Sequence, residues 1–254
     1  MKIGIMGAMT EEVSQLLQHM SNTESETRGM REYISGELRG KKVTVVFSRW
    51  GKVAASSTAT TLIERYGVNC LVFTGVAGAL DSSLNIGDIV VADTLLQHDM
   101  DASALPGIER YEIPLLGISR FTAEPRHTDA ALRAAETYLA EDLQADVDAA
   151  TRHEFHITKP RVVTGTIASG DQFVADDCSA RALREQIPDL KCVEMEGAAV
   201  AQVAYEYNIP CIVLRTISDK ADNSAVVDFP RFVNRVASHF TCGSVLRLLD
   251  LIEE

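Results

Sequence analysis

Short apolar runs, many rich in Val and Ile, recur along the chain at Lys2–Met6, Val43–Phe47, Cys70–Phe73, Ile89–Ala92, Arg161–Ile167, Lys191–Met195 and Cys211–Ile217. Most are apolar at consecutive positions instead of alternating, which predicts strands buried on both faces. Several are followed by stretches with helical spacing. In Glu11–Met20 the apolar Val13, Leu16, Leu17 and Met20 share one helix face. Val53–Tyr66 is rich in Ala and Thr, with Leu62 and Ile63 near its end, and Ala198–Tyr207 is apolar enough to predict a buried helix. Phe232–Leu251 predicts a closing helix. Strand–helix alternation of this kind predicts an α/β fold around a mixed, mainly parallel sheet. No repeat or Pro/Gly/Ser-rich linker divides the chain, so residues 1–254 read as one domain. The stretch at about 102–160 stands apart, with Pro106, Pro114, Pro125, Pro160, many charges and one helix-like piece at Asp129–Leu139. It reads as an irregular excursion from the sheet, not a second core.

Composition narrows the class. Of 254 residues, 46% are hydrophobic and 24% charged, as in an ordinary globular domain. A net charge of −12 argues against nucleic acid or an anionic membrane as partner, because phosphates call for clustered Lys and Arg. No stretch is long and apolar enough to span a bilayer, and Met1-Lys2-Ile3-Gly4-Ile5 runs directly into the first strand without a signal-peptide pattern. A cytoplasmic protein is therefore expected. The five cysteines are dispersed without a CxxC pair and the six histidines form no HExxH array. Neither a disulfide framework nor a metal site is expected, and no cofactor is implied.

Ligands of open α/β sheets sit beyond the carboxyl ends of the strands, so the residues where apolar runs stop carry the information. They include Gly7-Ala8-Met9-Thr10-Glu11-Glu12, Thr74-Gly75-Val76-Ala77-Gly78, Ala168-Ser169-Gly170-Asp171-Gln172-Phe173, Val193-Glu194-Met195-Glu196-Gly197 and Arg215-Thr216-Ile217-Ser218-Asp219. Acids and small residues at several such ends predict an acidic pocket that a ligand approaches closely. Glu194 and Glu196 stand between an apolar run and an apolar helix, where burial is costly without partners; extended geometry puts both on one side and Met195 on the other. Taken singly, Asp219 after Ser218 reads as well as a helix N-cap, and Glu12 as a favourable charge in a first helical turn.

Together these segments resemble a family. Gly4–Met9 with Glu11-Glu12, Ser48-Arg49-Trp50-Gly51-Lys52-Val53, Thr74–Gly78, Ile167–Phe173, Val193–Gly197 and Arg215–Asp222 are similar, in that order, to the bacterial methylthioadenosine/adenosylhomocysteine nucleosidases. The resemblance implies a nucleoside phosphorylase-like, three-layer α/β/α fold. It also implies hydrolysis of the N-glycosidic bond of adenine 5′-thio-nucleosides, within methionine salvage. Asp219, held by Ser218, matches the acid that protonates adenine N7, and Glu12 the carboxylate that activates water. Glu196 matches the acceptor of the ribose hydroxyls beside the Met195 backbone, while Glu194 and Arg215 match groups that place the water. Phe173 is expected to stack on adenine and the Val174 backbone to read its edge. Ala8, Val76, Ala77 and Gly78 are expected to line the site, and Met9 and Phe229 to contact the 5′-thio group. Trp50 stands where a smaller aliphatic residue is usual, and Val76 where many members carry Ser, so the 5′ preference is expected to differ. The resemblance further implies a homodimer in which the Gln97–Leu105 segment reaches the neighbour's pocket.

Three rivals are open at this stage. A nucleoside phosphorylase on the same fold needs cations or free amides for phosphate, and Glu11 and Glu12 stand in the loop where such enzymes place an arginine. An aminodeoxyfutalosine nucleosidase shares segments such as Gln97-His98-Asp99. A non-catalytic nucleoside-binding protein would not need Glu12, Glu196 and Asp219 together.

Overall fold

The structure, a computed structural model, describes residues 1–252. Its strands are β1 (Lys2–Gly7), β2 (Ser21–Arg28), β3 (Arg31–Leu38), β4 (Lys41–Phe47), β5 (Cys70–Phe73), β6 (Val76–Ala79), β7 (Ile89–Gln97), β8 (Phe121–Thr122), β9 (Val162–Ser169), β10 (Leu190–Glu194) and β11 (Cys211–Asp219). Its helices are α1 (Thr10–His19), α2 (Lys52–Tyr66), α3 (Pro125–Glu141), α4 (Leu143–Asp146), α5 (Ala149–Glu154), α6 (Asp177–Gln186), α7 (Gly197–Glu206), α8 (Ala225–Phe232) and α9 (Ser238–Leu251).

All strands join one mixed sheet in the order β2-β3-β4-β1-β5-β11-β6-β10-β9-β7-β8. The runs expected to be buried on both sides are so. In β1, Ile3 and Ile5 enter one apolar cluster with Val13, Leu16 and residues of α3 and α9, while Met6 faces another with Leu62 of α2 and Val200 of α7. In β5, Cys70 and Val72 join the first cluster, and Leu71 and Phe73 the second. Period-two alternation thus feeds two cores from one strand. Interior β strands of this kind each lose several apolar side chains to the core, at about 1.5–3 kcal/mol apiece for the larger ones.

The second half of the sheet curls. β11 pairs parallel to β5 through Cys211–Val213, antiparallel to β7 through Leu214–Thr216, and parallel to β6 through Thr216–Asp219. With β6 on β10, β10 on β9 and β9 on β7, the pairings close a ring. β11 therefore delivers its carboxyl end into the middle of the molecule.

Some expectations change. β2 is exposed along its length and polar, and pairs antiparallel with β3 at the sheet edge; an edge strand without an apolar face leaves no hydrophobic pattern to find. The segment Val76–Ala79, which begins where the apolar run of β5 stops, is the short strand β6. The closing helix begins at Ala225, earlier than expected, and reaches Leu251 through a π-helical turn at Val233–Ala237 just after Pro230. Proline removes one amide donor from the helical ladder, and such wide turns absorb the mismatch. The stretch at about 102–160 is irregular only in its first part. From Pro125 it forms α3, whose Ala130, Ala131, Ala134, Ala135 and Tyr138 are buried in the core with α9.

Candidate active site

The carboxyl ends of β1, β10 and β11 and the first residues of β6, Val76–Gly78, line a common cavity. Its wall carries Ala8, Met9, Glu12, Trp50, Val76, Ala77, Gly78, Phe173, Val174, Glu194, Met195, Glu196, Ser218, Asp219 and Phe229, together with Gln172 and Val193. Arg215, expected at the substrate, is not on that wall.

Glu12 is held where α1 starts. It is buried, and its carboxylate accepts the amides of Ala8 at 2.6 Å, Met9 at 3.0 Å and Val76 at 3.1 Å. Burial raises its pKa; the Arg215 charge and the three amides pull the other way. Burial is the largest of these effects, so the net shift is upward, with the guanidinium and the three amides limiting it. Gly75, at φ +154°, lets β6 approach: a Cβ there would lie 2.5 Å from Glu12 Oε1.

Asp219 ends β11, where the register shifts between Ile217 and Asp219. In an unbroken strand Ser218 and Asp219 would face opposite ways; the bulge turns both onto the cavity wall. The Asp219 carboxyl accepts Ser218 Oγ at 2.8 Å and the Ala221 amide at 2.9 Å. It caps no helix, because α8 starts only at Ala225. Burial raises its pKa, with Asp222 and Asp228 adding to the effect against those two hydrogen bonds. A raised pKa favours the protonated form, the form in which a carboxyl can donate a proton.

β10 ends at Glu194, so the strict alternation expected through Glu196 does not extend that far. Glu196 turns at φ −141°, ψ −41°, and Glu194, Met195 and Glu196 all reach the wall. Glu196 is buried and accepts the Gly51 amide at 2.7 Å. Burial, and then the neighbouring Glu194 charge, push its pKa up to about 8.

Glu194 has no capacity left for other donors. It accepts Ser169 Oγ, the amides of Glu196 and Gly197, and Arg215 Nη2 at 2.6 Å. Arg215 lies behind it, with its guanidinium 4.2 Å above the Phe73 ring and donating to the carbonyls of Phe73 and Leu214. The pair is 2–3% exposed and braces β10 against β11. Ser169 and Gly51 escaped the sequence reading. Both stood in quoted motifs, but small residues next to glycine signal backbone geometry, not which carboxylate they will meet.

The remaining wall is aromatic. Phe229 packs edge-on against Trp50, with centroids 6.0 Å apart, and against Phe173 at 5.2 Å. Trp50 is 53% exposed, so it points to the cavity mouth and not into the core. Among the described residues no His, Cys, Asp and Glu cluster able to hold a metal is present, and no helix is long and apolar enough to cross a membrane.

Comparison with known proteins gives a consistent picture. Residues 2–250 match the family model of the phosphorylase superfamily. A 5′-methylthioadenosine/S-adenosylhomocysteine nucleosidase of Shewanella oneidensis is 38% identical over all of this chain and 97% of its own. The crystal structure of the enzyme of that name from Neisseria meningitidis, bound to methylthio-immucillin-A, superposes with a TM-score of 0.86 at 29% identity, covering 99% of both chains. The futalosine hydrolase of Helicobacter pylori gives 0.83 at 32% identity, over 99% of this chain and 98% of that one.

Proposed function

Because this chain belongs to the phosphorylase superfamily, among its 5′-methylthioadenosine/S-adenosylhomocysteine nucleosidases, we propose that its cavity hydrolyses the bond between adenine and ribose in 5′-thio-nucleosides. Water attacks the anomeric carbon and gives its proton to Glu12. The C–N bond breaks with its electron pair passing to adenine, and Asp219 protonates the departing base at N7. The products are free adenine and the thioribose. Glu196 accepts the ribose hydroxyls, Phe173 stacks on adenine, and Met9, Trp50 and Phe229 meet the 5′ group. Glu194 and Arg215 act by holding the first turn of α7 and the charge balance around Glu12 and Glu196.

The observation that carries the hydrolase reading is the acidic, cation-free lining of the wall. It bears Glu12, Glu194, Glu196 and Asp219, and no cationic side chain among its described residues. Arg215, whose charge acts on Glu12 and Glu196, is committed to Glu194. Phosphate as nucleophile would find no cation to hold it here, whereas water meets a base. Adenine release from methylthioadenosine is therefore expected in phosphate-free buffer at a rate that added phosphate does not increase. Formation of a thioribose 1-phosphate would refute it.

The same reading supports one domain in three layers, with α1, α3 and α9 contributing to one apolar cluster and α2 and α7 to the other. It supports a cytoplasmic homodimer, the exposed Val53, Leu105 and Leu115 being apolar surface of the kind such contacts cover.

Trp50 favours a shifted 5′ preference, and the likeness to futalosine hydrolase names the competing substrate. An indole edge-on to Phe229 narrows the mouth more than an aliphatic side chain would. Trp50→Ile is expected to change the ratio of kcat/KM among methylthioadenosine, adenosylhomocysteine and 6-amino-6-deoxyfutalosine, with adenine release retained. Equal ratios in both proteins would remove Trp50 from substrate selection.

A further inference from the structure

Three chain segments that meet beside the cavity are tied by a ring of bonds whose members are not on its wall. Asp99, just after β7, accepts Lys52 Nζ at 2.5 Å on one oxygen and the Asp171 amide at 2.9 Å on the other. Asp171, in the loop after β9, accepts the Lys52 amide at 2.8 Å. The ring thus closes through the first residue of α2. The next amide back, that of Gly51, points the other way and donates to Glu196. Gly51 sits at φ +92°, a conformation that favours glycine, and a Cβ there would lie 3.0 Å from Asp171 Oδ1. Two successive amides are thereby aimed at two carboxylates, Gly51 at Glu196 in the cavity and Lys52 at Asp171 outside it. His98 interlocks the same segments: its amide donates to the Ser169 carbonyl, and its ring lies so close to Gly170 that a Cβ there would come within 2.3 Å of Nε2.

We infer that Lys52, Asp99 and Asp171 are positioning residues that hold the Gly51 amide on Glu196, so that its carboxyl group is fixed toward the substrate's ribose hydroxyls. This rests on the proposed role of Glu196. The charged groups facing Glu196 are Glu194 of β10, Glu12 of α1 and Arg215 of β11. Burial and Glu194 push its pKa up to about 8, and the Gly51 amide is the first of the groups that oppose them. Without that amide Glu196 stays protonated to higher pH, and the fraction of it that is ionised to accept the ribose hydroxyls at neutral pH falls further. Asp219 and Glu12 take no part in the ring, so binding suffers more than turnover.

The test compares Asp99→Ala, Asp171→Ala and Asp171→Asn with the wild type. It measures kcat and KM for methylthioadenosine from pH 6 to 10, Kd for a non-cleavable C-nucleoside bearing both ribose hydroxyls, and thermal melts. Asp99→Ala and Asp171→Ala are expected to raise KM and Kd about tenfold at pH 7 and to move the pH midpoint of binding up by about one unit, the two being the same effect. kcat is expected to stay within about threefold. Asp171→Asn keeps an oxygen to accept the Lys52 amide and is expected to bind within about twofold of the wild type. Asp171 is exposed, so its alanine variant folds whether or not Asp99→Ala does. An unmoved KM and pH midpoint in folded Asp171→Ala would overturn the inference, as would equal losses in Asp171→Asn and Asp171→Ala. If the wild type released no adenine but the alanine variants still bound the C-nucleoside about tenfold more weakly, the hydrolase reading would fall and the positioning role would stand.

Discussion

Asp219→Asn is expected to lower kcat by about 10²–10⁴-fold, the span typical of a positioned proton donor, while leaving the protein folded. The asparagine keeps an acceptor for the Ala221 amide and a partner for Ser218, but holds no proton for adenine N7. The pH dependence gives an independent check. Asp219 works protonated and burial raises its pKa, so wild-type kcat is expected to fall as pH rises through that value, and this alkaline limb should vanish in Asp219→Asn. Stability moves in the same direction as activity on this limb. A carboxyl whose folded pKa lies above its unfolded value of 3.8 stabilises the fold fully below that value and loses the contribution as pH rises through the folded one. Asp219→Asn should therefore melt no lower than the wild type at neutral pH. Glu12→Gln is the companion. It works deprotonated, so its loss should remove the acid limb and cost kcat by a similar factor, with substrate affinity preserved better than turnover. A folded Asp219→Asn with near-normal kcat would leave the mechanism without its acid.

The second large effect is structural. Arg215→Met is expected to destabilise the protein by about 3–5 kcal/mol, because removing one partner of a buried pair leaves the other charge uncompensated. Glu194 cannot escape to water: it is buried under α7, bound to Ser169 and the amides of Glu196 and Gly197. Arg215 also covers the Phe73 ring and serves two carbonyls, so packing is lost as well. Pairing the change with Glu194→Gln removes the stranded charge and should recover part of the loss, a coupling that urea denaturation of the two single variants and the double variant measures. Additive losses, or a loss under about 1 kcal/mol in Arg215→Met, would mean that the pair is solvated or relaxes. Activity should fall too, since the Arg215 charge opposes protonation of Glu12 and Glu196.

The two results separate kinds of acid at this site. Asp219 and Glu12 are destabilised in their charged forms by the burial that their chemistry uses. Glu194 is buried to the same degree but saturated with donors, one of them a guanidinium, and so serves the architecture of the wall.

The sequence by itself determined the interior strands and the helices that cover them, because consecutive apolar positions in β1 and β5 leave burial on both faces as the only stable outcome. It also marked where acidic side chains gather, since Glu12, Glu196 and Asp219 stand where apolar runs stop, although Glu12 and Asp219 taken singly read as well as a first-turn charge and a helix cap. Family resemblance, not pattern, assigned them separate roles. Tertiary structure decided what depends on partners far along the chain. The polar β2 is a strand only because β3 offers it an edge, and β11 has three partners whose pairing no local signal encodes. Arg215 reads from its position as a site residue, yet Glu194 draws it behind the wall, because a buried cation goes to the carboxylate that can pair with it most fully. Gly51 meets Glu196, and Lys52 meets Asp171, across gaps of 145 and 119 residues. Local sequence sets which conformations such residues can adopt; only the closed sheet, by bringing its carboxyl ends together, sets which carboxylates they face.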